Sequence, residues 1–177
     1  VSRLCFIEED AIDALNRLTQ RLDAEHATVT CFEKVDIPQP SGELNTRTII
    51  QALAATMPED VIVATDSGGG NAAYPFCQGA ATNSWLSLTG GAIGYGMPAA
   101  VGAAVAVPAR PVLSLQADGS AMYTISALWT QAREGLDITT IVLNNGAYQI
   151  LRWELANVGV AEPHTRGWRV TDLLDLG

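Results

Sequence analysis

The chain has 177 residues, 48% of them apolar and 16% charged, with a mean hydropathy of +0.17. That suits one globular α/β or α+β domain with a sizeable core and room for an appended piece. Nineteen acidic residues against ten basic ones leave a net charge of −9. Such a surface repels phosphodiester backbones and anionic lipid, which sets aside nucleic-acid and membrane-surface roles.

Leu4–Ile7 reads as a short strand, and Glu8–Asp23 as a helix with Ile12, Leu15, Leu18 and Leu22 on one face. The stretch "DIPQPSGE" over Asp36–Glu43 is the best linker candidate. One strand and one helix make no core, so residues 1–43 are expected to be the tail of a preceding domain plus a linker. From residue 44 to 177 the pattern is that of a second domain. A helix is expected over Arg47–Met57, capped by Asn45 or Thr46 and ended by Pro58. Val61–Ala64 is a buried strand leading into "TDSGGGN", and Leu86–Leu88 a further short strand. Gly91–Pro108 is apolar, but its repeated glycines and Pro98 mark a buried small-residue helix rather than a membrane span. Pro111–Ala117 is a strand, Ser120–Glu134 a helix stopped by Gly135, and Ile138–Leu143 a strand that ends at Asn144-Asn145. Strands separated by helices imply parallel crossovers, hence an α/β fold with a mostly parallel sheet and helices on both faces.

Cys5, Cys31 and Cys77 are far apart and form no C-x-x-C, and His26 and His164 make no metal-type pair. This argues against a disulfide framework or a zinc site and for a reducing compartment, with the cytoplasm as the default. The acidic run Glu8-Glu9-Asp10 after Val1–Ile7 does not read as a signal peptide.

In open parallel sheets, ligands bind beyond the carboxyl ends of the strands. Three polar, glycine-bearing segments fall there: Thr65–Asn71, Asp118–Ser120 and Asn144–Gly146. A helix start offers free N–H groups to phosphate, and an Asp beside it repels phosphate unless a divalent cation lies between them. Asp-Gly-Ser is also an ordinary N-cap pattern, and Asn-Asn is also an ordinary turn. Taken together, Asp118 and Asn145 end neighbouring strands of one crossover and offer hard oxygens of the kind Mg²⁺ takes.

Asp118-Gly119, a helix, a strand and then Asn144-Asn145, with Asn145 27 positions after Asp118, resembles the thiamine-diphosphate motif, Gly-Asp-Gly followed at a distance by Asn-Asn. Ala117 stands where that family usually has glycine. "GGAIGYGMPAAVGAA" is similar to the family segment that contacts the aminopyrimidine of the cofactor. "ADGSAMYTISALWTQA" and "LNNGAYQILRW" resemble the benzoylformate decarboxylase branch, and acetolactate synthases less so. The resemblance covers about residues 44 to 177.

The resemblance implies thiamine diphosphate and Mg²⁺ as cofactors, with Asp118, Asn145 and the backbone carbonyl of Ala147 as metal ligands. Gly119 and Ser120 would face the diphosphate, with Ser67 and Gly68 on its other side and Tyr148 as a further cofactor contact. It gives the Gly91 carbonyl the 4′-amino group, and makes Ile93 the wedge that bends the cofactor; a core isoleucine is the plainer reading of Ile93. Leu151 is a candidate for the substrate cavity, Met122 and Tyr123 for helix packing, and Trp129 and Trp153 for core or interface. The reaction implied is attack of the cofactor ylid on the α-carbonyl of a 2-keto acid with loss of CO₂. The alternative is an acetolactate-synthase-like carboligase. The glutamate that drives the ylid belongs, in the family, to a pyrimidine-binding domain, and this sequence has no room for it. "TDLLDLG" also stops before the strand and helix with which the family fold continues. The expectation is therefore a fragment or split-gene piece, inactive alone, whose partner is that domain of a longer enzyme or of a second subunit in a homodimer or homotetramer. Two other classes remain open: a nucleotide-binding domain, although "GGAIGYG" lacks the Gly-x-Gly-x-x-Gly spacing, and a non-catalytic module of the same fold.

Overall fold

The computed structural model describes residues 10–24 and 33–159. The expected strand Leu4–Ile7, Cys5, Cys31, both histidines and the "TDLLDLG" end lie outside them. By contact the chain falls into two compact units, residues 1–33 and 34–177. In the first, helix α1 (Ala11–Arg21) is capped by Asp10, whose carboxylate accepts from the N–H groups of Ile12 and Asp13 at 2.8 and 3.1 Å. Ile12, Leu15, Leu18 and Leu22 share a face of α1 and are exposed.

The second unit runs α2 (Thr46–Thr56), β1 (Val61–Thr65), α3 (Gly68–Cys77), β2 (Asn83–Ser87), α4 (Gly96–Ala106), β3 (Val112–Ala117), α5 (Asp118–Tyr123), α6 (Ala127–Arg133), β4 (Ile138–Leu143) and α7 (Gln149–Asn157). Residues 34–43, grouped with the preceding segment on sequence grounds, are attached to this unit. Val35 N–H donates to the Gly79 carbonyl at 2.7 Å, and Lys34 pairs with Glu59. That ammonium, with a hydrogen bond from Thr82 N–H, holds the Glu59 carboxyl below its ordinary range.

All four strands are parallel, in the order β2-β1-β3-β4. Alternation along the strands sorts their side chains to two faces. Val61, Val63, Leu113 and Leu115 pack with Ile50, Leu53 and Ala54 of α2 and Ala73 and Cys77 of α3. Ile62, Ala64 and Val112 pack on the other face with Ala100, Ala103 and Ala104 of α4. The small residues of α4 let its backbone lie close over the sheet. Helices thus cover both faces, as the alternation of elements in the sequence predicts. From β1 the chain turns to β2 on one side, and from β3 to β4 on the other. The crevice between the carboxyl ends of β1 and β3 is therefore the switch point of the sheet, where such folds bind ligands.

Several expected boundaries move. The glycine-rich "TDSGGGN" is not a loop throughout: Ser67 caps α3 by accepting from Gly70 N–H at 2.8 Å, and the glycines form its first turn. Gly70 is required there, because a Cβ would lie 2.0 Å from Thr65 Oγ1. Strand β2 starts at Asn83 rather than Leu86, and α4 starts only at Gly96. The single helix expected over Ser120–Glu134 is two helices, broken at Thr124–Ser126. The break has a tertiary cause: Thr124 leaves the helix with φ −139° and donates its hydroxyl to the Gly94 carbonyl at 2.8 Å. Met122, Tyr123, Trp129 and Trp153 are exposed, which sets aside the core reading of the two tryptophans and leaves the interface one open. Helix α7, unanticipated, follows the Asn pair.

Candidate functional site

Seven polar side chains are buried at or near the carboxyl edge of β1 and β3: Thr65, Asp66, Ser67, Ser114, Gln116, Asp118 and Ser120. Burying polar atoms costs free energy unless each finds a partner. Four buried side-chain atoms among the described residues have none, and three of them, Asp66 Oδ1, Gln116 Oε1 and Asp118 Oδ1, belong to this group. The fourth, Gln131 Nε2, lies on α6. Orphaned acceptors concentrated at one sheet edge mark a place where something electropositive is wanted.

Asp118 is the first residue of α5, not an N-cap; the turn is closed by Ser120, whose hydroxyl bonds the N–H and carbonyl of Ala117 at 3.2 and 3.1 Å. The Asp118 side chain is 6% exposed. Its Oδ2 accepts from Gly146 N–H at 2.9 Å, which brings the exits of β3 and β4 together. Its Oδ1 stays unsatisfied. The Asn pair folds back on itself: Asn144 Oδ1 accepts from Gly146 N–H and Asn145 Oδ1 from Ala147 N–H, each at 3.0 Å. Gly146 has φ +61°, the left-handed conformation that glycine adopts without strain. Ala147 is buried and Tyr148 precedes α7 as its cap, half-buried. No group of three His, Cys, Asp or Glu side chains able to hold a metal occurs among the described residues. A cation here would take one carboxylate, one amide and backbone oxygen, a hard-oxygen set suited to Mg²⁺ with phosphate completing it. The orphaned Asp118 oxygen fits that use.

The loop of residues 88–95, between β2 and α4, forms a neighbouring wall. Ile93 N–H donates to the Gly91 carbonyl at 3.0 Å, and Gly91 has φ +69°. The Ile93 side chain is 52% exposed and belongs to neither core cluster, so the plainer core reading is set aside. Two residues that sequence reasoning passed over hold this loop. Asp66 Oδ2 accepts from the N–H groups of Gly94 and Gly96 at 3.0 and 3.1 Å, and Thr124 bonds the Gly94 carbonyl. Asp66 was findable, as an acidic residue directly after a strand, by the logic applied to Asp118. Thr124 carries no such signal, since its role depends on a loop thirty residues away. Gln116, also passed over, is fully buried and donates to the Ala64 carbonyl and Ser114 Oγ at 3.3 and 3.0 Å. Leu151 lies on α7, partly exposed.

Residues 68–172 match the family model for the thiamine pyrophosphate enzyme, C-terminal TPP binding domain. The chain belongs to this family. Among thiamine pyrophosphate enzymes it is 49% identical over 168 residues to "Putative acetolactate synthase large subunit IlvX" of Mycobacterium tuberculosis, covering 94% of this chain and 32% of that protein. It is 35% identical over 118 residues to the benzoylformate decarboxylase of Pseudomonas aeruginosa, covering 66% and 22%. Among solved structures it resembles the thiamine diphosphate-dependent 4-hydroxybenzoylformate decarboxylase of Rhodococcus jostii, with a TM-score of 0.67, 28% identity, and coverage of 91% and 30%. The chain thus spans about a third of the length of the Mycobacterium tuberculosis relative. No helix among the described residues is long and apolar enough to cross a membrane.

Proposed function

We propose that the chain forms the half of a thiamine-diphosphate site that holds the diphosphate and Mg²⁺, in an enzyme that removes CO₂ from a 2-keto acid. The observation that carries this reading is the buried Asp118 carboxylate, whose Oδ2 accepts from Gly146 N–H and ties it to the Asn145–Ala147 turn while its Oδ1 has no partner. Asp118, Asn145 and the Ala147 carbonyl would supply the protein's oxygens to the metal. The N–H groups of Gly119 and Ser120 belong to the first turn of α5, where backbone donors have no helical partner and suit an anion. The segments at the strand exits, "TDSGGGN", "DGS" and "NNGAY", contain no basic residue; diphosphate charge would be balanced by metal and backbone. Ser67 and Gly68, at the exit of β1, would face it from the other side, and Tyr148 would flank the turn. The Gly91 carbonyl keeps a lone pair beyond its bond to Ile93 N–H, free for an amino group. The exposed Ile93 side chain is available as the wedge between the two cofactor rings. When bound, the thiazolium supplies an electron sink for the bond broken as CO₂ departs.

The benzoylformate decarboxylase type is the first reading, resting on "SALW" and "LRW" and on the likeness to the Pseudomonas and Rhodococcus proteins. A carboligase of acetolactate-synthase type is the second, favoured by the 49% identity to the Mycobacterium tuberculosis relative. Either reading needs a pyrimidine-binding domain with its glutamate, from the rest of a longer enzyme or a partner subunit in a homodimer or homotetramer. Either makes residues 1–43 the tail of a central domain plus a linker, the linker being residues 34–43 that attach to the second unit. The chain alone then turns over no 2-keto acid. The test is a calorimetric titration of thiamine diphosphate with Mg²⁺ and again with chelator, on the wild type and on Asp118→Ala. Binding that needs Mg²⁺ and disappears in Asp118→Ala is expected. Binding that is indifferent to chelator, or that survives the substitution, overturns the metal assignment.

A further inference from the structure

Gly94 is gripped from two sides. Its N–H donates to Asp66 Oδ2 at 3.0 Å, from the exit of β1, and its carbonyl accepts from Thr124 Oγ1 at 2.8 Å, from the end of α5. Its α-carbon faces Tyr123: a Cβ at Gly94, where φ is +94°, would lie 2.7 Å from Tyr123 Cβ. Asp66 also takes Gly96 N–H at 3.1 Å, so one carboxylate oxygen fixes both the loop and the start of α4. These contacts have a cost. Asp66 is 8% exposed with its second oxygen unpartnered, and Thr124 interrupts what would otherwise be one helix. A loop that merely joined β2 to α4 would need neither. Gly91 and Ile93 lie three residues and one residue before Gly94, whereas Asp118 and Gly119 lie at the other end of the short helix that Thr124 terminates.

We propose that Asp66 and Thr124 are positioning residues that hold the loop of residues 88–95 against the end of α5, and so at a fixed distance from Asp118 and Gly119 at its start. The protein then reads the thiamine end of its ligand separately from the diphosphate end. The inference rests on the diphosphate-and-metal reading above, and it goes further: it assigns ligand selectivity to two residues that touch neither metal nor phosphate. Loosening the grip weakens binding of thiamine diphosphate and leaves binding of bare diphosphate as it was.

The experiment titrates two ligands, thiamine diphosphate and inorganic pyrophosphate, each with Mg²⁺, into the wild type, Thr124→Val, Thr124→Ser and Asp66→Ala. Thr124→Val keeps the shape and removes the hydroxyl. One lost hydrogen bond corresponds to roughly a five- to tenfold loss of thiamine diphosphate affinity, with pyrophosphate affinity unchanged. Thr124→Ser restores the wild-type ratio of the two affinities. Asp66→Ala shifts the ratio in the same direction provided its far-ultraviolet circular dichroism is that of a folded chain; the Thr124 pair decides the matter if it is not. A wild type that binds both ligands equally well overturns the inference while leaving the diphosphate site standing. So does a Thr124→Val that lowers both affinities in parallel, or neither. A wild type that binds neither ligand overturns the diphosphate reading itself.

Discussion

Gly94→Ala places a methyl group where the loop, α5 and the exit of β1 meet. A φ of +94° lies in the region L side chains avoid, and the left-handed conformation costs about 1–2 kcal/mol. The new Cβ would stand 2.7 Å from Tyr123 Cβ and 3.3 Å from Thr124 Cγ2. Neither neighbour is the free end of a flexible chain: one is a β-carbon, and the other belongs to a side chain held by its bond to the Gly94 carbonyl. Overpacking of this kind adds about 1–3 kcal/mol. The expected destabilisation is therefore about 2–5 kcal/mol, roughly a 10 °C fall in Tm for a unit of this size. Urea unfolding followed by circular dichroism measures it. Two controls separate the causes. Gly90→Ala has φ +62° but nothing within 4 Å, so it carries the backbone cost alone, about 1–2 kcal/mol. Gly102→Ala, inside α4 with open space around it, gains about 0.5–1 kcal/mol from helix preference. A Gly94→Ala midpoint equal to that of Gly90→Ala would refute the close approach to Tyr123, and with it the tightness of the grip.

The Cys77 thiol is fully buried, and burial pushes it from 9.0 up to about 11. The unfolded chain loses that proton first, so stability from this group is full below pH 9 and is lost between pH 9 and 11, by about 2–3 kcal/mol. In a background with Cys5 and Cys31 changed to Ser, the stability gap to Cys77→Ala should narrow by that amount over that window; a gap constant with pH would contradict the burial. Arg110 donates through Nε to the Asp60 carbonyl at 2.8 Å and through Nη2 to Ser84 Oγ at 2.9 Å, and pairs with the Asp60 carboxylate at 3.0 Å. Arg110→Ala should cost about 1–2 kcal/mol, and Arg110→Lys should not restore it, since a lysine lacks the fork that reaches several acceptors together. Equal urea midpoints for the wild type and Arg110→Ala would show the fork contributes nothing.

Much of the fold was legible because the strands here are short apolar runs punctuated by glycine, proline and polar residues. Ile138–Leu143 emerged with the expected bounds, and Asn45 capped α2 as one of two candidates. What could not be read was decided by contacts across the sheet. The helical spacing of "SAMYTISALWTQA" gives no hint of a break, because the break is made by a bond from Thr124 to a loop on another strand. The three glycines after Ser67 look like a turn by composition, yet become a helix because Ser67 caps them and Gly70 fits against Thr65. At the candidate site, Asp118 and the Asn pair could be singled out because each follows a strand in sequence. Asp66 does so too, but its two partners, Gly94 and Gly96, are set by the close packing of α4, which spacing does not reveal.

The polar bonds that tie the segments of the site to one another join distant parts of the chain. Asp66 to Gly94 and Asp118 to Gly146 each span 28 residues, Thr124 to Gly94 spans 30, and Gln116 to Ala64 spans 52. Closing a loop of this length costs roughly 3 kcal/mol of chain entropy, more than one such bond returns. The site's segments therefore cannot be brought together ahead of the sheet, although the local turns within each of them carry no such cost. The bonds become favourable only once β1, β3 and β4 have paired and the closures are shared among all of them. Any molecule that recognises the site consequently recognises only chains whose sheet is complete, and its binding reports on folding as directly as on chemistry.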